Sequence, residues 1–421
     1  NNTIALTTRI LTMDSKTLDI ILFGATSFVG KITTQYLLNE VGIGKGVTWA
    51  IAGRSLGKIK QLKNQLGPEA ENIPIIVADS ADSASLTKMC QQGRVILSTV
   101  GPYALYGESL VEACVHNGND YCDLTGEAYW IKKMLDKYQL RAEKTGARII
   151  NCCGFDSIPS DLGVYFLQQA SQRQFGTVCK DVKLRVKAMK GGVSGGTVAS
   201  GIEMAKAVKK DPALRRKMGN PYLLCQSQTS RVKQPRILKP TFDKDFNAWS
   251  APFIMETINS RVVLRSNSLQ QHDDCEDFTY GEAVLTGKGR QGYFRAWGIT
   301  LGLGGFGLAA KNKLLRFLIQ KFLLPKPGQG PSPKQQENGF FDLRIIGKNN
   351  QQSLTIKVTG DKDPGYGCTA KMLTQAGLCM AFDIGKTELS GGFWTPATAM
   401  NDKLIIRLVA SAGMTFDILE D

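Results

Sequence analysis

Short apolar runs recur through the first 150 residues and alternate with longer segments whose apolar positions follow a helical period. This alternation predicts right-handed βαβ units, and therefore an α/β fold built on a Rossmann-type, doubly wound parallel sheet with helices on both faces. In such sheets, ligands bind beyond the carboxyl ends of the strands. The six predicted strands are residues 20–23, 47–52, 75–78, 95–100, 121–124 and 148–153.

The periodicity changes beyond about residue 175. Residues 182–188 and 354–358 alternate apolar with basic or polar side chains, which predicts half-buried antiparallel strands. We expect residues 341–346 to pair with 353–359 across a Gly-Lys-Asn-Asn turn at 347–350. The second half is therefore predicted to be an α+β domain with a largely antiparallel mixed sheet, and the active site is expected between the two domains.

The most informative stretch is residues 19–30, which read D-I-I-L-F-G-A-T-S-F-V-G. This is the strand, glycine turn and helix start of a dinucleotide site, where helix N–H groups and the helix dipole favour a pyrophosphate. Ser27 replaces the usual middle glycine, but its hydroxyl can itself donate to phosphate. The predicted cofactor contacts in this turn are Gly24, Thr26, Ser27, Phe28, Val29 and Gly30.

The residues after the second and third strands bear on the choice between NAD and NADP. Where an NAD site would place an acidic residue, this chain has Arg54, followed by Ser55 and, one turn later, Lys58. These residues suit the 2′-phosphate of NADP, and the alternative is that they are solvated charges on a helix start. Asp79 either meets the adenine amine or caps the next helix. We predict NADP.

Candidate catalytic residues follow the later strands. The loop Val100-Gly101-Pro102-Tyr103 should border the nicotinamide end of the site, which makes Tyr103 a candidate proton donor. Asp156 and Ser157 follow the sixth strand, where capping of the helix that begins near residue 158 is the expected role of Asp156.

A glycine-rich turn in the second half supplies two further candidates. Thr197 and Ser194 lie in this turn and either line the acceptor pocket or cap a helix over residues 198–210. The two histidines are poorly placed as proton donors, because His116 falls inside a predicted helix and His272 in a polar loop.

Composition narrows the function classes. Ten cysteines contain no C-x-x-C pair and only two histidines are present, so no metal site is expected and the cysteines indicate a reducing compartment. The 52 Lys and Arg exceed the 37 Asp and Glu, but no nucleic-acid motif accompanies the basic clusters at 206–217, 231–239 and 311–326. Acidic membrane surfaces, phosphorylated substrates and plain solubility remain as explanations.

The segment 297–325 combines an uncharged, glycine-rich stretch with a basic amphipathic one. The uncharged part is too short to span a bilayer. The alternation of basic and apolar residues in the other part is typical of a helix lying in a membrane interface, and equally of a helix packed on its own domain or on a twin subunit.

Five motifs together resemble the saccharopine dehydrogenase-like oxidoreductases, a family that includes the trans-acting enoyl reductases of mycobacterial lipid synthesis. They are G-A-T-S-F-V-G at 24–30, A-G-R-S at 52–55, V-G-P-Y at 100–103, D-L-T-G-E at 123–127 and C-G-F-D-S-I-P-S-D-L-G at 153–163. The resemblance implies an NADP-binding Rossmann domain, a mixed-sheet second domain, and membrane or lipid-droplet association for some members.

These observations give one expected organisation. A flexible leader over residues 1–16 precedes an NADP-binding Rossmann domain over 17–175 and a substrate and dimerisation domain over 176–390. The family resemblance implies that residues 391–421 return to pack on the Rossmann domain.

The expected function is an NADP-dependent oxidoreductase, cytoplasmic or peripherally attached to a membrane, that reduces an apolar, lipid-like or polyketide-like enoyl or carbonyl compound. A homodimer is compatible with this expectation. One alternative is a non-catalytic NADP-binding protein that docks on lipid. Another is saccharopine-type amino-acid metabolism, which would need convergent arginines that the sequence does not reveal.

Overall fold

The computed structural model describes residues 16–192, 212–225, 232–270, 277–312, 330–349 and 352–420. Two seven-stranded sheets organise these residues. The first sheet is parallel throughout and the second is mixed, which confirms the predicted fold class.

The first sheet has the strand order β13-β6-β5-β4-β1-β2-β3. The chain order of its first six strands matches the six predicted apolar runs. Its strands are β1 (Leu18–Phe23), β2 (Trp49–Gly53), β3 (Ile75–Val77), β4 (Gly93–Ser98), β5 (Asp120–Asp123), β6 (Arg148–Ile150) and β13 (Gly392–Trp394).

Helices cover both faces of this sheet. Ile20 and Leu22 of β1 pack into one core, whereas Ile21 and Phe23 pack into a second core on the opposite face. Helix α12 (Thr369–Phe382) returns from the second half to pack against β1, β4 and β5. The earlier helices are α1 (Phe28–Val41), α2 (Leu56–Leu66), α3 (Ser83–Cys90), α4 (Tyr103–Tyr106), α5 (Glu108–Asn117) and α6 (Ala128–Thr145).

The second sheet has the strand order β14-β12-β11-β7-β10-β9-β8. Strands β7 and β10 run parallel, and the other neighbouring pairs are antiparallel. Its strands are β7 (Asp181–Lys190), β8 (Thr241–Asp243), β9 (Ala248–Ala251), β10 (Thr279–Gly287), β11 (Phe340–Asn349), β12 (Gln352–Gly360) and β14 (Met414–Leu419).

Helix α7 joins the two sheets, since it leaves the carboxyl end of β6 and packs on β11 and β12. Helix α9 packs beside it and against β10. The remaining elements are α7 (Ile158–Phe175), α8 (Pro212–Met218), α9 (Glu256–Gln270), α10 (Gly289–Lys311), α11 (Pro333–Glu337), α13 (Pro396–Ser411) and a π-helical turn at Pro364–Cys368. None of the described helices combines the length and the hydropathy needed to cross a bilayer.

The predicted hairpin turn at residue 347 is wrong. Strand β11 continues through Asn349, which pairs with Gln352, so the connection falls at residues 350–351, outside the described part. Gly347 is small for another reason: a Cβ there would lie 2.5 Å from Leu167 of α7 and 2.6 Å from the Cys179 sulfur. Close packing, and not a turn, requires this glycine.

The alternation of buried apolar and exposed basic side chains predicted for β7 is wrong at one position. Arg185 was expected on the solvent face but is buried, and its Nε lies 2.6 Å from Asp243 Oδ2. Asp243, at the end of β8, supplies the carboxylate that pairs with the arginine. The strand is therefore buried on both faces at this point.

Both ends of the described chain are tied to the fold. Lys16, at the end of the expected leader, donates to the Asn117 carbonyl at 2.8 Å, while residues 1–15 lie outside the described part. Strand β13 extends the first sheet beside β6, and β14 forms an edge of the second sheet beside β12. The C-terminal residues thus contact both sheets.

Candidate active site

The glycine turn after β1 has no room for side chains at two positions. Gly24 has φ +89°, and a Cβ there would lie 2.6 Å from Val100 Cγ2. A Cβ on Gly30 would lie 2.2 Å from the Gly24 carbonyl oxygen. Glycine is therefore required at both, first for the left-handed backbone and then for the close approach of α1 to the strand.

Ser27, which departs from the usual glycine pattern, is the N-cap of α1. Its Oγ accepts from the Gly30 N–H at 2.9 Å and lies 3.0 Å from Thr99 Oγ1. Thr99 in turn donates to the Gly24 carbonyl at 2.9 Å, which ties the turn to the end of β4. Within the described residues, the N–H groups of Phe28 and Val29 have no acceptor. They remain available to phosphate oxygens.

The basic residues after β2 extend into solvent. Arg54 and Lys58 are exposed, and their side chains have no ion-pair or hydrogen-bond partner in the described part of the chain. Ser55 caps α2, since its Oγ accepts from the Lys58 N–H at 3.4 Å. The Ser55 hydroxyl hydrogen remains free to donate.

Asp79 is not the cap of the next helix. Asp82 caps α3 by accepting from the Ala84 N–H at 3.0 Å. One oxygen of Asp79 accepts from the Ala81 N–H at 3.0 Å, and its other oxygen has no partner among the described residues. The adenine contact therefore stays a prediction, while the capping alternative is excluded.

A buried glutamate holds the loop after β4. Glu127 accepts from the Tyr103 N–H at 3.0 Å through Oε1 and from the Ala104 N–H at 2.8 Å through Oε2. Residues 100–103 are thereby fixed beside the glycine turn, where Val100 also touches Gly24. Sequence reasoning missed this role, although Glu127 closes the D-L-T-G-E motif.

The Tyr103 hydroxyl is used by the backbone. It donates to the Ser98 carbonyl at 2.9 Å and accepts from the Leu124 N–H at 3.1 Å. Burial raises the pKa of Tyr103 well above its usual range. These contacts give Tyr103 the role of a strut between the loops after β4 and β5, and leave its proton unavailable to a substrate.

Asp156, by contrast, has a carboxyl group that the described protein groups leave without a hydrogen bond. It is half-buried, its oxygens have no hydrogen-bond partner in the described residues, and it faces the backbone of Gly126 in the loop after β5. Burial and the nearby charge of Asp123 raise the pKa of Asp156 to about 7. The expected capping role is wrong, because α7 begins at Ile158 and the preceding residue is Ser157.

Asp123 is the fixed neighbour of this group. One oxygen accepts from the Thr125 and Cys152 N–H groups, each at 3.1 Å, and the other from Asn151 Nδ2 at 2.8 Å. Burial raises the pKa of Asp123 to about 6 in spite of these bonds. Asp123 therefore braces the loops after β5 and β6, whereas the neighbouring Asp156 has no hydrogen-bond partner among the described residues.

Ser157 begins a chain of buried polar groups. Its Oγ donates to Asn259 Oδ1 at 3.2 Å, and Asn259 Nδ2 donates to Glu282 Oε2 at 2.9 Å. Tyr280 donates to the other oxygen of Glu282 at 2.5 Å. Burial raises the pKa of Glu282 to about 7. Because its hydrogen points to Asn259, Ser157 offers neighbouring groups an acceptor oxygen only.

A buried carboxyl group on α7 ties that helix to α13. Asp161 accepts from Ser266 of α9 at 2.5 Å and from the Ala397 N–H of α13 at 2.8 Å. Burial raises the pKa of Asp161 to about 7. Both oxygens are used, so this group is structural.

A cleft opens between α6 and α9, next to the loop after β6; we call it the α6–α9 cleft. Its walls are mostly apolar and include Leu135, Leu224, Val262 and Trp394. Cys152 of the loop and Arg265 of α9 also line it.

Comparison with known proteins places this geometry in a family. The saccharopine dehydrogenase NADP binding domain family matches residues 20–150. A trans-acting enoyl reductase of Mycobacterium tuberculosis is 37% identical over 405 residues, covering 93% of this chain and 95% of the relative. The trans-acting enoyl reductase of Mycobacterium ulcerans is 33% identical over 404 residues, with the same coverage of each chain. The chain belongs to the saccharopine dehydrogenase-like family.

A solved structure shares the fold of this saccharopine dehydrogenase-like chain. Apo saccharopine dehydrogenase (L-Glu forming) from Saccharomyces cerevisiae superposes with a TM-score of 0.53 at 14% identity, covering 96% of this chain and all of the other. Family membership makes the protein an NADP-dependent oxidoreductase, as the sequence predicted.

The residues of this saccharopine dehydrogenase-like protein fit NADP. The crowding at Gly24 and Gly30 brings bare backbone to the place of the pyrophosphate, and two helix N–H groups there are unused. The exposed Arg54 carries the charge that a 2′-phosphate needs. Among the candidate catalytic residues, Tyr103, Asp156 and Ser157 gather at the carboxyl edges of β4 to β6, whereas Thr197 and Ser194 lie outside the described residues.

Proposed function

We propose that this oxidoreductase reduces the carbon–carbon double bond of an apolar enoyl compound, with Asp156 as the proton donor. The observation that carries the proposal is the unpaired, half-buried carboxyl group of Asp156, whose pKa of about 7 lets it hold a proton near neutrality. The names of the relatives, trans-acting enoyl reductases, support the choice of an enoyl compound over other acceptors.

The chain's own groups divide the work. The N–H groups of Phe28 and Val29 and the Arg54 guanidinium bind the phosphates, and Glu127 keeps the loop after β4 in place. NADPH, when bound, supplies the hydride. Asp156 gives its proton to the other carbon of the double bond, so the two hydrogens add across it, and solvent then reprotonates the carboxylate.

The α6–α9 cleft offers apolar walls close to the loop after β6 that carries Asp156, since its lining is largely aliphatic and aromatic. In this structure the cleft has room for about one water molecule, so an enoyl chain entering it would have to move α6 and α9 apart. Apolar walls exclude water, which protects the reduction from side reactions and strengthens electrostatic effects at the carboxyl group.

Turnover of a soluble enoyl thioester tests this function. Purified protein with NADPH and the N-acetylcysteamine thioester of trans-2-octenoate should yield the octanoyl thioester, detected by mass spectrometry, with parallel loss of NADPH absorbance. Asp156→Asn should lower kcat by about a hundredfold or more, the usual contribution of general acid catalysis. The exposed Asp136, which pairs with Lys132, provides the matched control Asp136→Asn.

The pH profile adds a second readout. Because the protonated form of Asp156 is the active one, kcat should fall as pH rises through about 7. The Asp156→Asn variant should lack this limb. If it turned over the thioester at the wild-type rate with the wild-type profile, Asp156 would not be the proton donor.

Helix α10 is the basis for proposing that the reaction takes place at a membrane surface. Several of its apolar side chains are exposed, among them Phe294 (63%), Leu301 (65%) and Leu308 (69%). The first turns of α10 pack on β9 and β10, whereas the glycines from 298 to 307 have open space around them. At 23 residues the helix is about 34 Å long. Exposed Lys288, Arg290 and Arg295 accompany it, so its surroundings suit an anionic lipid surface.

Vesicle flotation tests this surface. The protein should float with phosphatidylglycerol vesicles and less with phosphatidylcholine vesicles, and Leu301→Glu should abolish flotation. Leu140 on α6 is 73% exposed and far from α10 in sequence, so Leu140→Glu is the matched control. If Leu301→Glu instead left flotation unchanged and converted a dimer into a monomer in sedimentation experiments, α10 would be a contact surface for a second copy of the chain.

A further inference from the structure

The proposed proton donor is held in place by its neighbours in the chain. No described group donates a hydrogen bond to the Asp156 carboxyl, so contacts on either side of this residue set its direction. On the carboxyl-terminal side, Ser157 donates to Asn259 of α9 at 3.2 Å. On the amino-terminal side, the Phe155 N–H donates to Thr369 Oγ1 of α12 at 3.0 Å. Asp156 therefore lies between two anchors that come from distant parts of the chain.

The Thr369 hydroxyl makes two hydrogen bonds with defined directions. It donates to the Pro364 carbonyl at 2.8 Å, so its hydrogen points away from Phe155 and an oxygen lone pair accepts from the Phe155 N–H. Thr369 is 6% exposed and Phe155 is 8% exposed, so little water reaches the pair. A buried N–H without an acceptor is unfavourable, and the peptide would turn to find another one if the hydroxyl were removed.

The π-helical turn that precedes Thr369 also contacts the cofactor turn. Asp363 caps the π-helical turn by accepting from the Tyr366 N–H at 2.8 Å. The Tyr366 ring packs edge-on against Phe28, with ring centroids 5.0 Å apart. Phe28 carries one of the two unused N–H groups at the start of α1. One short segment of the second half thus contacts both the turn after β1 and the loop after β6.

The Thr369 methyl group and hydroxyl contact the loop after β6 in different ways. A Cβ on Gly154 would lie 3.0 Å from Thr369 Cγ2, so the methyl group limits the space beside the loop. The hydroxyl instead sets the orientation of the peptide that precedes Asp156. Valine keeps the shape of threonine and removes the acceptor, so a substitution can separate the two contacts.

We infer that Thr369 is a positioning residue for proton transfer, which sets the direction of the Asp156 carboxyl through the Phe155 N–H. The inference rests on the proposed function, which makes Asp156 the proton donor. A general acid must lie within reach of the atom that it protonates, and a displacement of about 1 Å can lower the rate on the order of a hundredfold. Thr369 should therefore affect the chemical step and not the binding of NADPH.

Steady-state kinetics with NADPH and the N-acetylcysteamine thioester of trans-2-octenoate test this role. Thr369→Val should lower kcat by about tenfold or more, while the KM values for both substrates change by less than about twofold. Thr369→Ser keeps the hydroxyl and should retain most of the wild-type kcat. Thr374 is buried on the same helix, and its hydroxyl has no partner in the described residues. It gives the matched control Thr374→Val, which should leave kcat unchanged.

A double-mutant cycle separates positioning of Asp156 from a general structural role. In the Asp156→Asn background, Thr369→Val should lower kcat no further, because no acid is left to misplace. A loss of the same size in that background, or a wild-type kcat in Thr369→Val alone, overturns the inference. Should Thr369→Val fail to fold, Thr369→Ala and Thr369→Ser differ only in the hydroxyl and provide the same comparison.

The inference and the proposed function can fail separately. Wild-type turnover by Asp156→Asn would refute the proposed function, whereas an impaired Asp156→Asn with an unimpaired Thr369→Val would refute only the role of Thr369. Hydrogen exchange in peptides that contain Phe155, followed by mass spectrometry without substrate, needs no turnover. Exchange should be faster in Thr369→Val than in Thr374→Val. Equal exchange would show that the hydroxyl does not hold this N–H, and would also overturn the inference.

Discussion

The glycine turn after β1 and the chain of buried polar groups from Ser157 through Asn259 to Glu282, here called the polar layer, are built in opposite ways. The turn takes its essential features from seven consecutive residues, 24–30, with support from Thr99. The layer joins Ser157 to Asn259, which are 102 positions apart, and then to Glu282. A feature built from consecutive residues can be recognised as a motif in the sequence. A feature that folding assembles from distant residues appears in the sequence only as single polar residues, which resemble surface positions.

The two regions also differ in charge. The turn presents unused N–H donors and an exposed Arg54, so it suits anions. The layer buries the Glu282 carboxyl group, whose pKa rises towards neutrality, so it retains a proton.

The largest effect is expected from crowding the turn. Gly30→Ala should destabilise the protein by about 3 kcal/mol or more and abolish NADPH binding, because its Cβ would meet the Gly24 carbonyl at 2.2 Å. Urea unfolding and calorimetric titration with NADPH measure the two effects. The control is Gly57→Ala in α2, where a Cβ meets nothing and stability should rise slightly. Normal NADPH affinity in Gly30→Ala would remove the basis of the comparison.

A smaller effect tests the buried layer. The folded protein holds the Glu282 proton up to pH of about 7, whereas the unfolded chain releases it near pH 4. The native state therefore binds more protons in this window, and the free energy of unfolding should fall as pH rises through it. Glu282→Gln should remove on the order of 2 kcal/mol of the difference in unfolding free energy between pH 5 and 7.5.

Urea unfolding at the two pH values measures that difference. Only the pH difference is compared, since the substitution also changes hydrogen bonding at both values. The control is Glu388→Gln, at an exposed group whose pKa is lowered by the Lys403 hydrogen bond, which should not flatten the dependence. An unchanged slope in Glu282→Gln would mean that this carboxyl group titrates normally in the folded protein.

Replacing Arg54 should reduce the selectivity for NADPH over NADH, with a free-energy effect comparable to or smaller than that of Glu282→Gln. Arg54→Ala should weaken NADPH by about tenfold or more, the value of a charged hydrogen bond, while NADH affinity changes little. Lys60, exposed in α2 and beyond the expected site, gives the control Lys60→Ala. Equal losses for both nucleotides would show that Arg54 does not read the 2′-phosphate.

The smallest effect concerns Ser27. Ser27→Ala removes the cap of α1 and the contact with Thr99, and should lower the free energy of unfolding by about 1 kcal/mol. Ser27→Gly would restore the usual glycine but also lack the cap, so it should be destabilised as well. Urea unfolding of both variants measures the change in unfolding free energy. An unchanged value in Ser27→Ala would mean that the serine does not stabilise the protein.

The sequence was sufficient for the first six strands of the parallel sheet, for the strand, glycine turn and helix at residues 18–41 and for the place of Asp156 after β6, because each depends on residues that are close together along the chain. It was insufficient for Glu127, whose two backbone partners lie 23 and 24 positions earlier, and for Asn259 and Glu282. Arg265 resembles a solvated helix residue in the sequence, and only tertiary packing buries it. The prediction of a turn at Gly347 was wrong for a related reason, since this glycine makes room for α7, which lies much earlier in the chain.

The long return of the chain to the first sheet has a consequence for biosynthesis. Six of the seven strands are complete by residue 150, but β13 is added at residues 392–394 and α12, which covers one face, at 369–382. A growing chain thus carries an unfinished sheet with an uncovered apolar face while more than 200 further residues are translated. Such an intermediate is prone to associate with its neighbours on the ribosome, and chaperones are expected to shield it until the closing segments emerge.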